Sequence, residues 1–204
     1  MIDRTYQNML TAAKYRLAER KPHEIAVNAN ITYDENEQKF FVDSLGTTHV
    51  ITYPDYESID RMESWHHLLV LHYMDLADGT NITGKQISFG ELKDGLIRGT
   101  KFDLTVEYEL QKILKGNSEE RIKGVLEQLG GVFKRSKADL CAEIPFFSMY
   151  PVTMNIWFAD DEYPASGKML LDESADHYLT IEDAVTVGDV ILKRIAVILE
   201  GREF

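Results

Sequence analysis

The sequence predicts an α+β fold, in which antiparallel sheets that include an N-terminal three-stranded meander pack against about five helices. Two observations favour this class: apolar residues alternate with a period of two in some segments and recur at helical spacing in others, and strands and helices come in separate blocks. The chain has 204 residues, 44% of them hydrophobic, which is enough for a substantial core. Because we find no convincing linker or repeat, we expect one domain over residues 1–204.

The N-terminal third predicts one helix followed by the meander. Apolar residues recur at helical spacing from Asp3 to Lys21, Asp3 can cap the start, and Pro22 marks the end. Strict alternation from Ile25 to Tyr33 predicts the first strand. Lys39–Asp43 and His49–Tyr53 follow across polar turns, so the three segments are expected to pair as a meander.

A broad apolar stripe from Ile59 to Leu76 predicts the central buried helix. His66 lies within the stripe and is expected in the core, whereas His67 points away from it, toward solvent. Two further amphipathic helices are expected, one over Phe102–Ile113 and one capped by Ser118.

The last third returns to a period of two before a final helix. Strands are expected over Leu140–Phe146, Val152–Phe158 and Lys168–Leu171. Thr180 with Asp183 resembles a capping box that opens the last helix. Ser88 with Glu91 predicts a similar cap after a short strand-like segment, Gln86–Phe89.

Composition excludes several classes of function. The net charge of −12 and the absence of a basic stripe argue against nucleic acid as a partner. No apolar run approaches a membrane span, and the first residues do not resemble a secretory signal, so we expect no membrane association and a cytoplasmic protein. With Cys141 alone, one chain forms neither an internal disulfide nor an iron–sulfur cluster.

Three local motifs carry little functional weight. Gly79–Gln86 approaches a phosphate-binding loop, but Gln86 replaces the final Ser or Thr and the loop enters a strand-like segment rather than a helix. The spacings of His66, His67 and His72 do not place metal ligands on one helical face. Cys141 lies in an alternating strand pattern, which favours a buried and unreactive thiol.

The 24 residues from Asp160 to Asp183 concentrate the acidity, with eight acids against Lys168. The spacing after Asp160 departs from an EF-hand calcium loop. Three interpretations stay open. The acids form a solvated, structured turn; Asp160, Glu162 and Asp172 bind a divalent metal; or two carboxylates perform acid–base chemistry.

Several segments together resemble an uncharacterised family of anaerobic bacteria and archaea, domain-of-unknown-function family 3786. The resemblance covers nearly the whole chain in order and is carried by Trp65-His66-His67-Leu68-Leu69 with Tyr73, Asp78-Gly79, Gly84 to Gly95, Trp157 to Pro164, Leu170-Leu171-Asp172 and Tyr178 to Asp183. The family has no assigned activity, so the resemblance implies no catalytic residue. Some longer relatives add a cysteine-rich iron–sulfur segment, which implies an accessory role near redox or corrinoid metabolism for a member without the cluster.

Three hypotheses follow. The first is a small protein that binds a small molecule or a protein partner in one pocket bordered by the Gly79–Gly95 loops and the Asp160–Asp172 segment. The residues expected there are Asp160, Asp161, Glu162, Tyr163, Asp172, Gly84, Lys85 and Ser88. The second is a metal-assisted hydrolase using Asp160, Glu162 and Asp172, with His177 as acid–base group. The third is an assembly protein that forms a homodimer through the Ile59–Leu76 helix.

Overall fold

The computed structural model describes residues 4–201 and has an α+β architecture. The described residues form six helices: α1 Arg4–Ala18, α2 Pro22–Ala29, α3 Ser64–Leu76, α4 Gly95–Leu114, α5 Glu119–Gln128 and α6 Ile181–Leu199. The strands are β1 Thr32–Asp34, β2 Lys39–Ser44, β3 Thr47–Thr52, β4 Gln86–Ile87, β5 Val132–Phe133, β6 Leu140–Phe147, β7 Tyr150–Trp157 and β8 Ser166–Asp172. The predicted fold class is confirmed. Asp3, the predicted cap of the first helix, lies outside the described residues.

Two antiparallel sheets organise the strands. The first is the predicted meander, in the order β1-β2-β3, and the second has the order β4-β8-β7-β6-β5. Helix α4 packs on β8 and on α6, and α6 in turn contacts α3 and α5. Among residues 4–201, no helix is long and apolar enough to cross a membrane.

The predicted strand from Ile25 to Tyr33 is wrong, because most of it is helix α2. Ile25 and Ala29 are four residues apart and fully buried, whereas Val27 is 77% exposed, although strand alternation would put all three on one face. Pro22 opens this helix at its first turn, where its missing N–H costs nothing. Asn30 ends the helix in the left-handed conformation, with φ of 49°.

Helix α3 is the buried central helix, but it begins later than predicted. The Glu63 carboxylate accepts hydrogen bonds from the backbone N–H groups of Trp65 and His66 at 3.1 and 3.2 Å, which caps the helix. Ile59 lies outside the helix and is 56% exposed. Most side chains of α3 are buried in the core, but Trp65 and Leu76 are 37% and 39% exposed, so the dimer expected through this helix stays a prediction.

Buried histidines connect α3 to the meander. His66 is buried as predicted, and its Nε2 lies 2.8 Å from the Ser44 hydroxyl at the end of β2. The prediction for His67 is wrong: it is buried, and its Nε2 lies 3.1 Å from the carbonyl oxygen of Tyr56. Its helical position faces away from the main stripe, but the segment before α3 covers that side. Burial lowers the pKa of His66 to about 3 and also lowers the pKa of His49 and His67.

Acid is expected to weaken the fold through these three histidines. Below about pH 6.5 the unfolded chain binds protons that the folded chain excludes, so the free energy of unfolding should decrease as the pH falls. From pH 7.5 to 5.5 we expect a loss of about 1.4 kcal/mol for each histidine that stays neutral, measured by urea unfolding. In the His49→Phe variant, the loss of unfolding free energy over this pH interval should be smaller by the contribution of one histidine. Constant or rising stability of the unaltered protein over this interval would contradict the assignment.

Candidate functional site

The carboxylate of Asp172, at the end of β8, anchors the loop that precedes β4. Its Oδ1 accepts hydrogen bonds from the backbone N–H and hydroxyl of Thr83, both at 3.0 Å, and from the backbone N–H and hydroxyl of Ser174 at 3.0 and 2.7 Å. Its Oδ2 accepts the backbone N–H of Gly84 at 2.7 Å. Burial by itself raises the pKa of Asp172, but these hydrogen bonds outweigh it and hold the pKa below its usual range. The Asp172 carboxylate is therefore a buried hydrogen-bond acceptor that is occupied by donors of the protein itself.

Three other predicted site residues also serve the local structure. Gly84 adopts φ of +77°, a left-handed conformation that favours glycine and that aims its N–H at Asp172. Lys85 forms an ion pair with Glu173. Ser88 donates its backbone N–H and its hydroxyl to the Glu91 carboxylate at 2.8 and 2.9 Å, as the predicted cap requires. The structure brings Gly84, Lys85 and Asp172 together, but as a loop anchor.

The segment after β4 is held against helix α4. Asp103 of α4 accepts the backbone N–H groups of Phe89 and Gly90 at 3.1 and 3.0 Å. Gly99 allows this close approach, because a Cβ there would lie 2.0 Å from the carbonyl oxygen of Phe89. These contacts fix the position of the following residues, Leu92 to Asp94.

Asp78 and His177 form an ion pair that joins the end of α3 to the turn after β8. His177 Nδ1 lies 2.8 Å from Asp78 Oδ2 and 3.1 Å from the Thr80 hydroxyl. Because an ionised carboxylate only accepts, Nδ1 carries the proton and donates it to Asp78. The hydrogen bond raises the pKa of His177 and lowers the pKa of Asp78 to about 2. Tyr178 closes the turn by donating its hydroxyl to the Thr80 carbonyl.

This ion pair borders a cavity of about 430 Å³, which we call the Asp78–His177 pocket. Its lining comes from three stretches of chain that the contacts above hold together: the end of α3, the segment 92–94, and the segment 176–181. Apolar side chains form part of the lining, namely Leu76, Leu92, Leu179 and Ile181. A cavity of this size that combines apolar walls with a few converging polar groups is typical of small-molecule sites.

The charged groups of the Asp78–His177 pocket are mostly acidic. Asp78, Asp94 and Asp176 line it together with Lys93 and His177. Asp94 makes no side-chain capping bond to α4, and within residues 4–201 Asp176 forms no ion pair. Even with His177 protonated, the pocket lining keeps a negative charge.

The acidic loop that starts at Asp160 lies elsewhere. It connects β7 to the beginning of β8, whereas Asp172 ends β8. A strand of seven residues at about 3.3 Å per residue puts roughly 20 Å between the two ends. The single pocket and the three-carboxylate metal site expected from Asp160, Glu162 and Asp172 therefore do not form, because the strand between them is extended.

Within its own loop, Asp160 stabilises a turn. Its Oδ1 accepts the backbone N–H groups of Glu162 and Tyr163 at 2.8 and 2.7 Å, and these hydrogen bonds lower its pKa. Asp161 and Glu162 are exposed, and the Tyr163 side chain is 68% exposed. Across residues 4–201 no three His, Cys, Asp or Glu side chains are placed to hold one metal ion.

The sequence indicated the neighbourhood of the pocket but not which of its charged members meet. Asp78 follows the central helix and His177 lies in the acidic span, so the sequence marks each of them separately. They are 99 positions apart, so no spacing rule could pair them. Lys93 and Asp94 lie in the Gly84–Gly95 stretch and Asp176 in the acidic span, but no local pattern brings the three into one pocket.

Asp172→Asn tests the loop anchor. The amide presents one acceptor oxygen and an NH₂ group to five donors, so some buried donors lose their partner. We expect the free energy of unfolding to fall by roughly 1–3 kcal/mol, measured by urea unfolding at pH 7. Asp161→Asn, an exposed acid in the other loop, should change it by less than about 0.5 kcal/mol. Equal effects of the two variants would refute the anchor.

Asp78→Asn tests the ion pair. Removing the negative acceptor should lower the pKa of His177 toward the ordinary histidine value, because the protonated ring loses its partner. The measurement is an NMR titration of the His177 ring between pH 5 and 9, with Asp161→Asn as the control that leaves the midpoint unchanged. If Asp78→Asn left the His177 midpoint where it was, the pairing would be wrong.

Comparison with known proteins bears on the identity of the chain. Neither the curated proteins nor the solved structures gave a significant match. Residues 21–194 match the family model described as Domain of unknown function (DUF3786). This match spans all of the fold from α2 through β8 and most of α6, including every residue of the Asp78–His177 pocket. The chain belongs to the DUF3786 family.

Proposed function

We propose that this protein binds a small ligand with a positively charged group in the Asp78–His177 pocket. The observation that carries the proposal is the ion pair itself, held at 2.8 Å at the border of a cavity whose walls come from three separate stretches of chain. Apolar walls accommodate the body of a ligand, and the excess of carboxylates favours a cation. Asp176 and Asp94 supply the negative charge that is not already paired.

His177 also suggests acid–base chemistry as a second candidate function. Asp78 holds Nδ1 in its protonated form, and within residues 4–201 Nε2 has no hydrogen-bond partner. A histidine oriented by a carboxylate in this way can take a proton from a ligand at Nε2 or return one. This candidate replaces the hydrolase hypothesis built on Asp160, Glu162 and Asp172, because those carboxylates lie apart.

The cellular setting belongs to the proposal as well. We propose a cytoplasmic accessory role near redox or corrinoid metabolism, as the resemblance to the family implies. A protein partner in place of a small molecule, and a homodimer to which the Ile59–Leu76 segment contributes, are alternative hypotheses.

Putrescine and succinate provide a first test, because they are similar in length and opposite in charge. In ¹H–¹⁵N NMR titrations of the full chain, putrescine should shift the amide signals of residues 92–94 and 176–181 in a saturable way, and succinate should not. Asp176→Asn should weaken putrescine binding by up to about fivefold, the usual effect of one exposed ion pair.

The control for this titration is Asp161→Asn, which removes the same charge from the opposite end of β8 and should leave putrescine binding unchanged. The proposal fails if no cationic probe gives saturable shifts in these segments, or if the two variants weaken binding equally.

A further inference from the structure

A second cavity lies at the other end of the five-stranded sheet. It has a volume of about 800 Å³ and is bounded by the last turn of α4, the 115–119 connection and the β7–β8 loop. We call it the Leu114–Phe158 cavity. It shares no lining residue with the Asp78–His177 pocket.

The walls of this cavity are largely apolar. Leu114 and Ala165 are buried at its base, and Phe158, Ala159 and Pro164 line the side formed by the loop. The base is rigid, because Leu110, one turn before Leu114, packs directly against Gly167 of β8. A concave apolar surface of this volume is within the usual range for the body of a small ligand.

The charged groups that line the Leu114–Phe158 cavity are Lys112, Lys115 and Glu119. Lys112 is already paired, since its Nζ lies 2.9 Å from the Glu109 carboxylate and 3.9 Å from the centre of the Tyr108 ring. Lys115 has no ion-pair partner among residues 4–201. With Lys112 neutralised by Glu109, the charged groups left in the described lining are Lys115 and Glu119, and Lys115 is the lysine available to an anion.

We propose that the Leu114–Phe158 cavity binds an apolar monocarboxylate, with its hydrocarbon part on Leu114 and Phe158 and its carboxylate at Lys115. Burial of the hydrocarbon part supplies most of the affinity, because removing apolar surface from water is favourable. The lysine selects the charge of the head group. The acids of the Asp160 loop do not belong to the lining, and the first of them is directed into its own turn.

The inference does not rest on the function proposed above, because the two cavities lie at opposite ends of β8. Octanoate tests it, with octylamine and octanol as probes of equal chain length and different head group. In ¹H–¹⁵N NMR titrations of the full chain, octanoate should shift the signals of residues 111–119 and 158–165 saturably and leave residues 92–94 and 176–181 unchanged.

Lys115→Glu should weaken octanoate binding by about fivefold or more and leave octanol binding unchanged. Lys101→Glu is the matched control, since Lys101 is exposed on the same helix and does not line the cavity. Ala159→Trp replaces an exposed lining residue by a larger one and should block all the probes without disturbing the core. The proposal is overturned if octanoate causes no saturable shift, if the shifts lie elsewhere, or if octylamine binds as tightly as octanoate.

Discussion

The arrangement of loops in this protein depends on one buried carboxylate. Asp172 gathers donors from Thr83, Gly84 and Ser174, and so ties the chain before β4 to the chain after β8. A buried charge is tolerated only when hydrogen bonds replace its hydration, and here they do so fully enough to keep its pKa low. Both tied segments continue into the Asp78–His177 pocket, so the geometry of that pocket follows from the anchor.

Strand β8 imposes the second constraint. Because it is extended, it holds the Asp172 anchor and the Asp160 loop roughly 20 Å apart, and it separates two cavities of different chemistry. One is lined by an excess of carboxylates around a paired histidine, and the other is apolar with an available lysine. The two cavities share no lining residue, so the two proposed ligands would not compete for the same side chains.

Local chemistry made much of the fold predictable. Ser88 with Glu91, Ser118, and Thr180 with Asp183 all act as caps, as their spacing indicated. The failures have physical reasons as well. Ile25, Val27 and Ala29 have the alternation of a strand, yet Ile25 and Ala29 also have helical spacing. In the folded chain, Ile25 and Ala29 are buried and Val27 is exposed, which fits the helix. His67 faces away from the main apolar stripe, but the chain around Tyr56 covers it.

By itself, the sequence determined the α+β class, the last two strands of the meander, three helix caps and the neighbourhood in which polar loops cluster, because capping and periodicity act over a few residues. In the sequence, Asp160 and Asp172 are close together along the chain, which suggested that they belong to one site. Only the tertiary structure decided that these acids are apart and that Asp78 meets His177 from 99 positions away. Proximity in a folded chain is set by strand direction and by the packing of distant elements, and neither is encoded in local spacing.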